Sequence, residues 1–78
     1  MEVKIGMVVK AIAGRDKDRF FVIKEVKDNF VLIVDGKSRK LEFPKKKKIK
    51  HLRLTKSIID IEEITNKKLK KTLSEFCD

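Results

Sequence analysis

Phe20-Phe-Val-Ile-Lys-Glu-Val26, Asp28-Asn29, Phe30-Val-Leu-Ile-Val34 and Asp35-Gly36 follow one another with almost nothing between them. Both apolar blocks are rich in β-branched and aromatic residues, fall short of a helix in length, and end in turn residues. They read as adjacent strands. Asp-Gly directly after the second block predicts a tight primed hairpin turn, because both residues tolerate positive φ. Upstream, Met7 to Ala13 is a third apolar block, punctuated by Gly6 and Gly14, and predicts another strand. Arg15 to Arg19 is then a charged turn. Downstream, Ser38 to Phe43 alternates at its end, with Leu41 and Phe43 on one face, and is expected to be the fourth strand. Pro44 stops that ladder or sets it at an edge. Lys45 to Lys48 is low in complexity, and a last short strand is expected near Leu52 to Leu54.

From Ser57 the pattern changes. Thr65 or Asn66 supplies an N-cap, and Leu69, Leu73 and Phe76 recur at helical spacing. A helix of about three turns is predicted from Asn66 to Phe76. Ile58 to Ile64 reads equally as a helical turn or an extended linker. The predicted fold class is mainly β: a small five-stranded SH3-like barrel, closed to hide its edges, with a short C-terminal helix. Residues 1–56 form the barrel and residues 57–78 a linker and helix packed on it, within one domain. Phe20 and Phe21 point to opposite faces of a strand, so a one-sided sheet cannot bury both. Phe20, Phe21, Phe30 and Phe43 read as core before they read as stacking platforms, because a chain without Trp or Tyr needs its phenylalanines inside; if one is exposed, Phe20 or Phe43 is expected to be that one.

Charge is concentrated rather than spread. Residues 37–56 carry ten Lys/Arg and one acid, Glu42, a net of +9. Residues 1–36 net +1 and residues 57–78 net −1, which completes the chain's +9. Like charges this close repel, so a polyanion is the expected partner, and nucleic acid is the abundant one. The 17 Lys to 4 Arg either favour gripping backbone and shape over reading bases or reflect a lysine-rich genome composition, two readings of equal weight. Candidate nucleic-acid contacts are Lys37, Arg39, Lys40, Lys45, Lys46, Lys47, Lys48, Lys50, His51 and Arg53. The turn residues Arg15, Lys17 and Arg19 extend that surface. The lysine block lies between Phe43 and Ile49/Leu52, so its amines are expected to stand on a fixed base. Five neutralised phosphates imply a log–log salt slope of about −3.5 to −4.5.

Other chemistries find little purchase. One histidine, His51, and one cysteine, Cys77, give no zinc set and no internal disulfide. No nucleophile–His–acid constellation is legible, and Gly6, Gly14 and Gly36 are spaced as turn residues rather than as a phosphate loop. Neither an enzyme, a cofactor, a metal nor a small-molecule substrate is expected. Met1 is followed by a mixed, charged segment, so no signal peptide is expected, and no apolar stretch reaches the roughly 18 residues of a membrane span. A cytoplasmic location follows from these expectations.

Gly6-Met-Val-Val-Lys-Ala-Ile-Ala-Gly14-Arg-Asp-Lys17-Asp18-Arg-Phe-Phe-Val-Ile resembles a KOW motif, a strand, a glycine turn and a second apolar strand. Ile33-Val-Asp-Gly36, Arg39, Phe43 and Leu52-Arg-Leu-Thr55 resemble the continuation found in archaeal and eukaryotic large-subunit ribosomal proteins of the fourteen-e type. The Gly-Arg-Asp-Lys turn, the Asp-Gly step and the Pro-Lys-Lys-Lys-Lys block before Lys-His-Leu resemble, in that order, the small bacterial KOW-domain RNA-binding proteins related to them. The resemblance spans about residues 5 to 56. It implies a KOW-type SH3-like barrel, binding to structured ribosomal RNA, ribosomal proteins as neighbours, and no enzymatic activity. One departure stands out: Asp18 occupies the position where the motif has glycine. Aspartate tolerates the left-handed region better than most residues, so the turn is expected to survive with some strain. The alternative to RNA binding is a protein-interaction adaptor whose basic segment meets an acidic partner.

Overall fold

The computed structural model describes residues 2–76. Met1, the lone cysteine Cys77 and Asp78 lie outside them. The chain is mainly β. Its strands are β1 (Met7–Ala11), β2 (Phe20–Val26), β3 (Val31–Val34), β4 (Lys45–Lys47) and β5 (Leu52–Ile58), followed by one helix, α1 (Asn66–Leu73). All five strands join one antiparallel sheet in the order β4-β3-β2-β1-β5.

The outermost strands, β4 and β5, are separated in sequence only by Lys48 and a 3₁₀ turn, Ile49–His51. Across a flat sheet they would stand about 19 Å apart. The short connection reaches about 14 Å, so the sheet must curl. The Ile12 N–H, just past β1, donates to the His51 carbonyl at 2.9 Å and secures the curled end. No ladder joins β4 to β5, so the sheet stays open and the expected closed barrel does not form.

Strand alternation divides the apolar residues between two faces. Inside the curl, Met7, Val9, Ala11, Phe21, Ile23, Val31, Ile33 and Leu52 form one buried cluster. On the other face Val8, Val22 and Val34 pack under Leu69 and Leu73 of α1, with Phe20, Leu41, Ile59, Ile61, Ile64 and Phe76 around them. The premise of a one-sided sheet therefore fails. Phe21 is fully buried in the first cluster, while Phe20 packs in the second against Phe76, ring centroids 6.0 Å apart.

Helix α1 starts where its cap residue dictates. The Thr65 hydroxyl accepts the Lys68 N–H at 3.2 Å. The regular helix ends at Leu73, earlier than the expected Phe76. The segment between β5 and α1 is irregular, and its Ile59, Ile61 and Ile64 pack on the second cluster. β5 runs to Ile58, beyond the expected Leu54, whereas β1 stops at Ala11 rather than Ala13, and β3 begins at Val31 rather than Phe30.

The larger correction concerns Ser38 to Phe43, which forms no strand. Alternate N–H groups from Lys37 onward are spent elsewhere. Those of Lys37 and Arg39 donate to the Asp35 carboxylate at 2.9 and 2.8 Å, that of Leu41 to the Asn66 side-chain oxygen at 2.8 Å, and that of Phe43 to the Lys40 carbonyl at 2.9 Å. A ladder would have needed those donors. Asp35-Gly36 correspondingly opens a wide loop rather than a primed two-residue turn, and only Gly36 has positive φ, +76°. A Cβ on Gly36 would collide with the Asn66 carbonyl, so glycine lets the loop seat against the start of α1. The fourth strand instead follows Pro44, with Lys45 opposite Ile33, Lys46 opposite Leu32 and Lys47 opposite Val31.

Candidate nucleic-acid interface

Because Lys45–Lys47 is a strand, its three side chains cannot share one surface. Lys45 and Lys47 follow Ile33 and Val31 to the inner side, and Lys46 goes the other way. The Lys47 side chain is buried, and its ammonium donates to the Ala13 carbonyl at 3.1 Å. Lys45 Nζ donates to Asp16 Oδ2 at 2.8 Å. Lys46 is exposed, its Nζ 4.4 Å from the centroid of the Phe30 ring.

Asp16 organises this region. It is 4% exposed, in the turn between β1 and β2. Besides Lys45 it meets Arg39 Nη2 at 3.6 Å and Arg19 Nη1 at 3.7 Å. The hydrogen bond from Lys45 holds its carboxyl below the ordinary value, against the effect of burial and with help from the charges of Lys45, Arg39 and Lys47. One carboxylate thus pins the β1–β2 turn to both the 35–44 loop and β4. The Arg39 Nε is buried and makes no hydrogen bond within the protein.

Asp16 therefore brings together Arg19, Arg39 and Lys45, expected contacts from two remote stretches of sequence. Arg15 and Lys17 flank it and are exposed, as are Lys37 and Lys40 of the 35–44 loop and Lys48 and Lys50 beyond β4. His51 is half-buried. Arg53 is exposed on β5, directly opposite Lys10, which in turn pairs with Phe20 on β2. Lys10 Nζ lies 5.8 Å from the Phe20 ring centroid and 3.9 Å from Asp18 Oδ1. The expected single basic stretch is thus divided by strand geometry: Lys45 and Lys47 serve the protein's own carboxylate and carbonyl, and the other lysines face solvent.

Sequence reasoning missed Asp16. An aspartate among Arg15, Lys17 and Arg19 reads as a solvated turn residue, and no periodicity marks it for burial. Asp18 behaves as its position demands, with φ +71° and its N–H donating to the Ala11 carbonyl at 2.7 Å. Phe43, between Glu42 and Pro44, is the most exposed large apolar residue described, at 78%.

Among the described residues no three His, Cys, Asp or Glu side chains gather where a metal ion would sit, and no helix is long and apolar enough to cross a membrane. In comparison with known proteins, no family model matches the chain and no curated sequence is significantly similar to it.

Proposed function

We propose that the protein is a non-catalytic RNA-binding module of the KOW-type, SH3-like kind, gripping the backbone of structured RNA in a cytoplasmic ribosomal or translational setting. The curled sheet whose outer strands are joined by a 3₁₀ turn supports the fold part of this reading. The observation that carries the functional part is the Asp16 cluster. It fixes the β1–β2 turn against β4 and the 35–44 loop, so exposed Arg15 and Lys17 stand on the same anchored region as exposed Lys37, Lys40, Lys46 and Lys48. Cations on a rigid base lose little entropy on binding, and displaced counterions drive association. Lysine point charges suit A-form RNA, which is recognised through phosphates, 2′-hydroxyls and shape.

The test is charge reversal at the two exposed lysines flanking buried Lys47. Lys46→Glu with Lys48→Glu should abolish most affinity for a stem-loop RNA in fluorescence anisotropy at moderate salt, with the thermal melt retained. Unchanged affinity in a folded double variant removes the proposal.

A further inference from the structure

We infer that Phe43 is a stacking platform for an unpaired RNA base, so that the preferred ligand is RNA with a loop or bulge rather than continuous duplex; this rests on the RNA-binding reading above. Leaving a phenyl ring in water forfeits about 1.5–3 kcal/mol of burial. Phe43 is nonetheless 78% exposed, well beyond the next most exposed large apolar residue described, Ile5 at 58%.

The ring is not on a loose tip. Its own N–H closes a turn onto the Lys40 carbonyl at 2.9 Å. Two residues before it, Leu41 packs on the second apolar cluster. The Leu41 N–H donates to the Asn66 side-chain oxygen at 2.8 Å, and its carbonyl accepts Lys24 Nζ at 2.6 Å. The Asn66 side-chain nitrogen donates in turn to Glu42 Oε1 at 2.8 Å. Immediately after the ring, Pro44 fixes the backbone and β4 begins. The chain on both sides is anchored while the side chain between is left in solvent.

The surroundings favour a nucleobase over other apolar ligands. In sequence Phe43 lies between exposed Lys40 and Lys46, and the one anion beside it, Glu42, is engaged by the Asn66 side-chain nitrogen at 2.8 Å. A base stacked on the ring would have its own phosphates within a cationic region. Aromatic platforms beside tracked phosphates are how unpaired nucleotides are held, whereas bases within an A-form duplex are stacked on each other and cannot reach a protruding ring.

Two RNAs of equal length and charge separate the possibilities, a stem closed by an unpaired loop and a blunt duplex. Wild-type protein should prefer the looped RNA. Phe43→Ala should weaken looped-RNA binding roughly 5- to 150-fold, the effect of losing one stacked base. It should leave duplex binding and the salt slope unchanged, and Phe43→Trp should restore affinity. Equal loss on both RNAs, or no loss on either, overturns the stacking role. In the second case the ring serves a protein contact or none, while RNA binding that still depends on Lys46 and Lys48 leaves the proposed function intact. Absence of any RNA binding by the wild type overturns both.

Discussion

Lys45 Nζ and Asp16 Oδ2 lie 2.8 Å apart, joining two points separated by 29 residues of sequence. The pair fastens an edge strand to the turn between β1 and β2. It also turns one member of a lysine run, which composition alone assigns to a ligand, into part of the scaffold.

Asp16→Asn keeps the shape of the side chain and removes its charge. Lys45, Arg39 and Arg19 then lose a shared counter-ion, but their side chains are 27%, 36% and 43% exposed, so water takes up part of the burden. The expected loss is about 1–3 kcal/mol. A lower urea midpoint with an unchanged m-value checks it.

Asp16 also gives stability a pH dependence of defined sign. Its folded carboxyl titrates below the ordinary value of 3.8, chiefly through the Lys45 hydrogen bond. Its contribution is therefore fully present above the unfolded value of about 3.9 and fades as pH falls through the folded one. Urea midpoints measured from neutral pH downward should decline more steeply for the wild type than for Asp16→Asn below about pH 4.

Lys47 and Lys48 are neighbours with opposite assignments. Lys47→Ala removes a buried stem and the hydrogen bond to the Ala13 carbonyl, and should cost about 1–2 kcal/mol of stability while leaving the salt slope of RNA binding alone. Lys48→Ala should change stability by less than about 0.5 kcal/mol. It should make the log–log salt slope shallower by about 0.7–0.9. Urea denaturation and binding titrations at several salt concentrations read both.

Asp18→Gly relieves a left-handed backbone conformation that costs a side-chain-bearing residue about 1–2 kcal/mol. The greater freedom of glycine in the unfolded chain offsets much of this, and the contact with Lys10 that is lost is long, 3.9 Å, from an Asp18 side chain 70% exposed. Net stability should stay within about 1 kcal/mol of wild type in a thermal melt. RNA affinity should rise, because a negative charge beside Arg15 and Lys17 is gone.

The strands that apolar composition marks were legible. β2 matches its expected span of Phe20 to Val26, and β1 and β3 differ only at their ends. Leu69 and Leu73 as the buried face of α1 followed from local chemistry, and of the two expected caps, Thr65 and Asn66, it is Thr65 that takes the role. The fourth strand did not, because Leu41 and Phe43 alternate as a strand would. Their N–H groups are claimed by Asn66, which is 25 residues from Leu41 in sequence, and by a local turn, and neither claim leaves a period to read. Lys45–Lys47 forms the edge strand instead, although lysine is a poor strand former, because Val31 to Val34 needs a partner for its outer ladder groups. The candidate interface was legible as charge but not as geometry: counting cations cannot tell Lys47, which is buried, from Lys48, which is not.

Val8, Val22 and Val34 are fully buried only because Leu69, Leu73 and their neighbours cover them. During synthesis, the sheet's residues are complete once Ile58 has been added, yet this valine patch stays bare until the helix follows. A nascent or truncated chain ending before residue 64 would present a sticky surface, prone to self-association. Helix α1 and the segment before it therefore act as an intramolecular lid on the sheet, and removing them should cost solubility before it costs strand content.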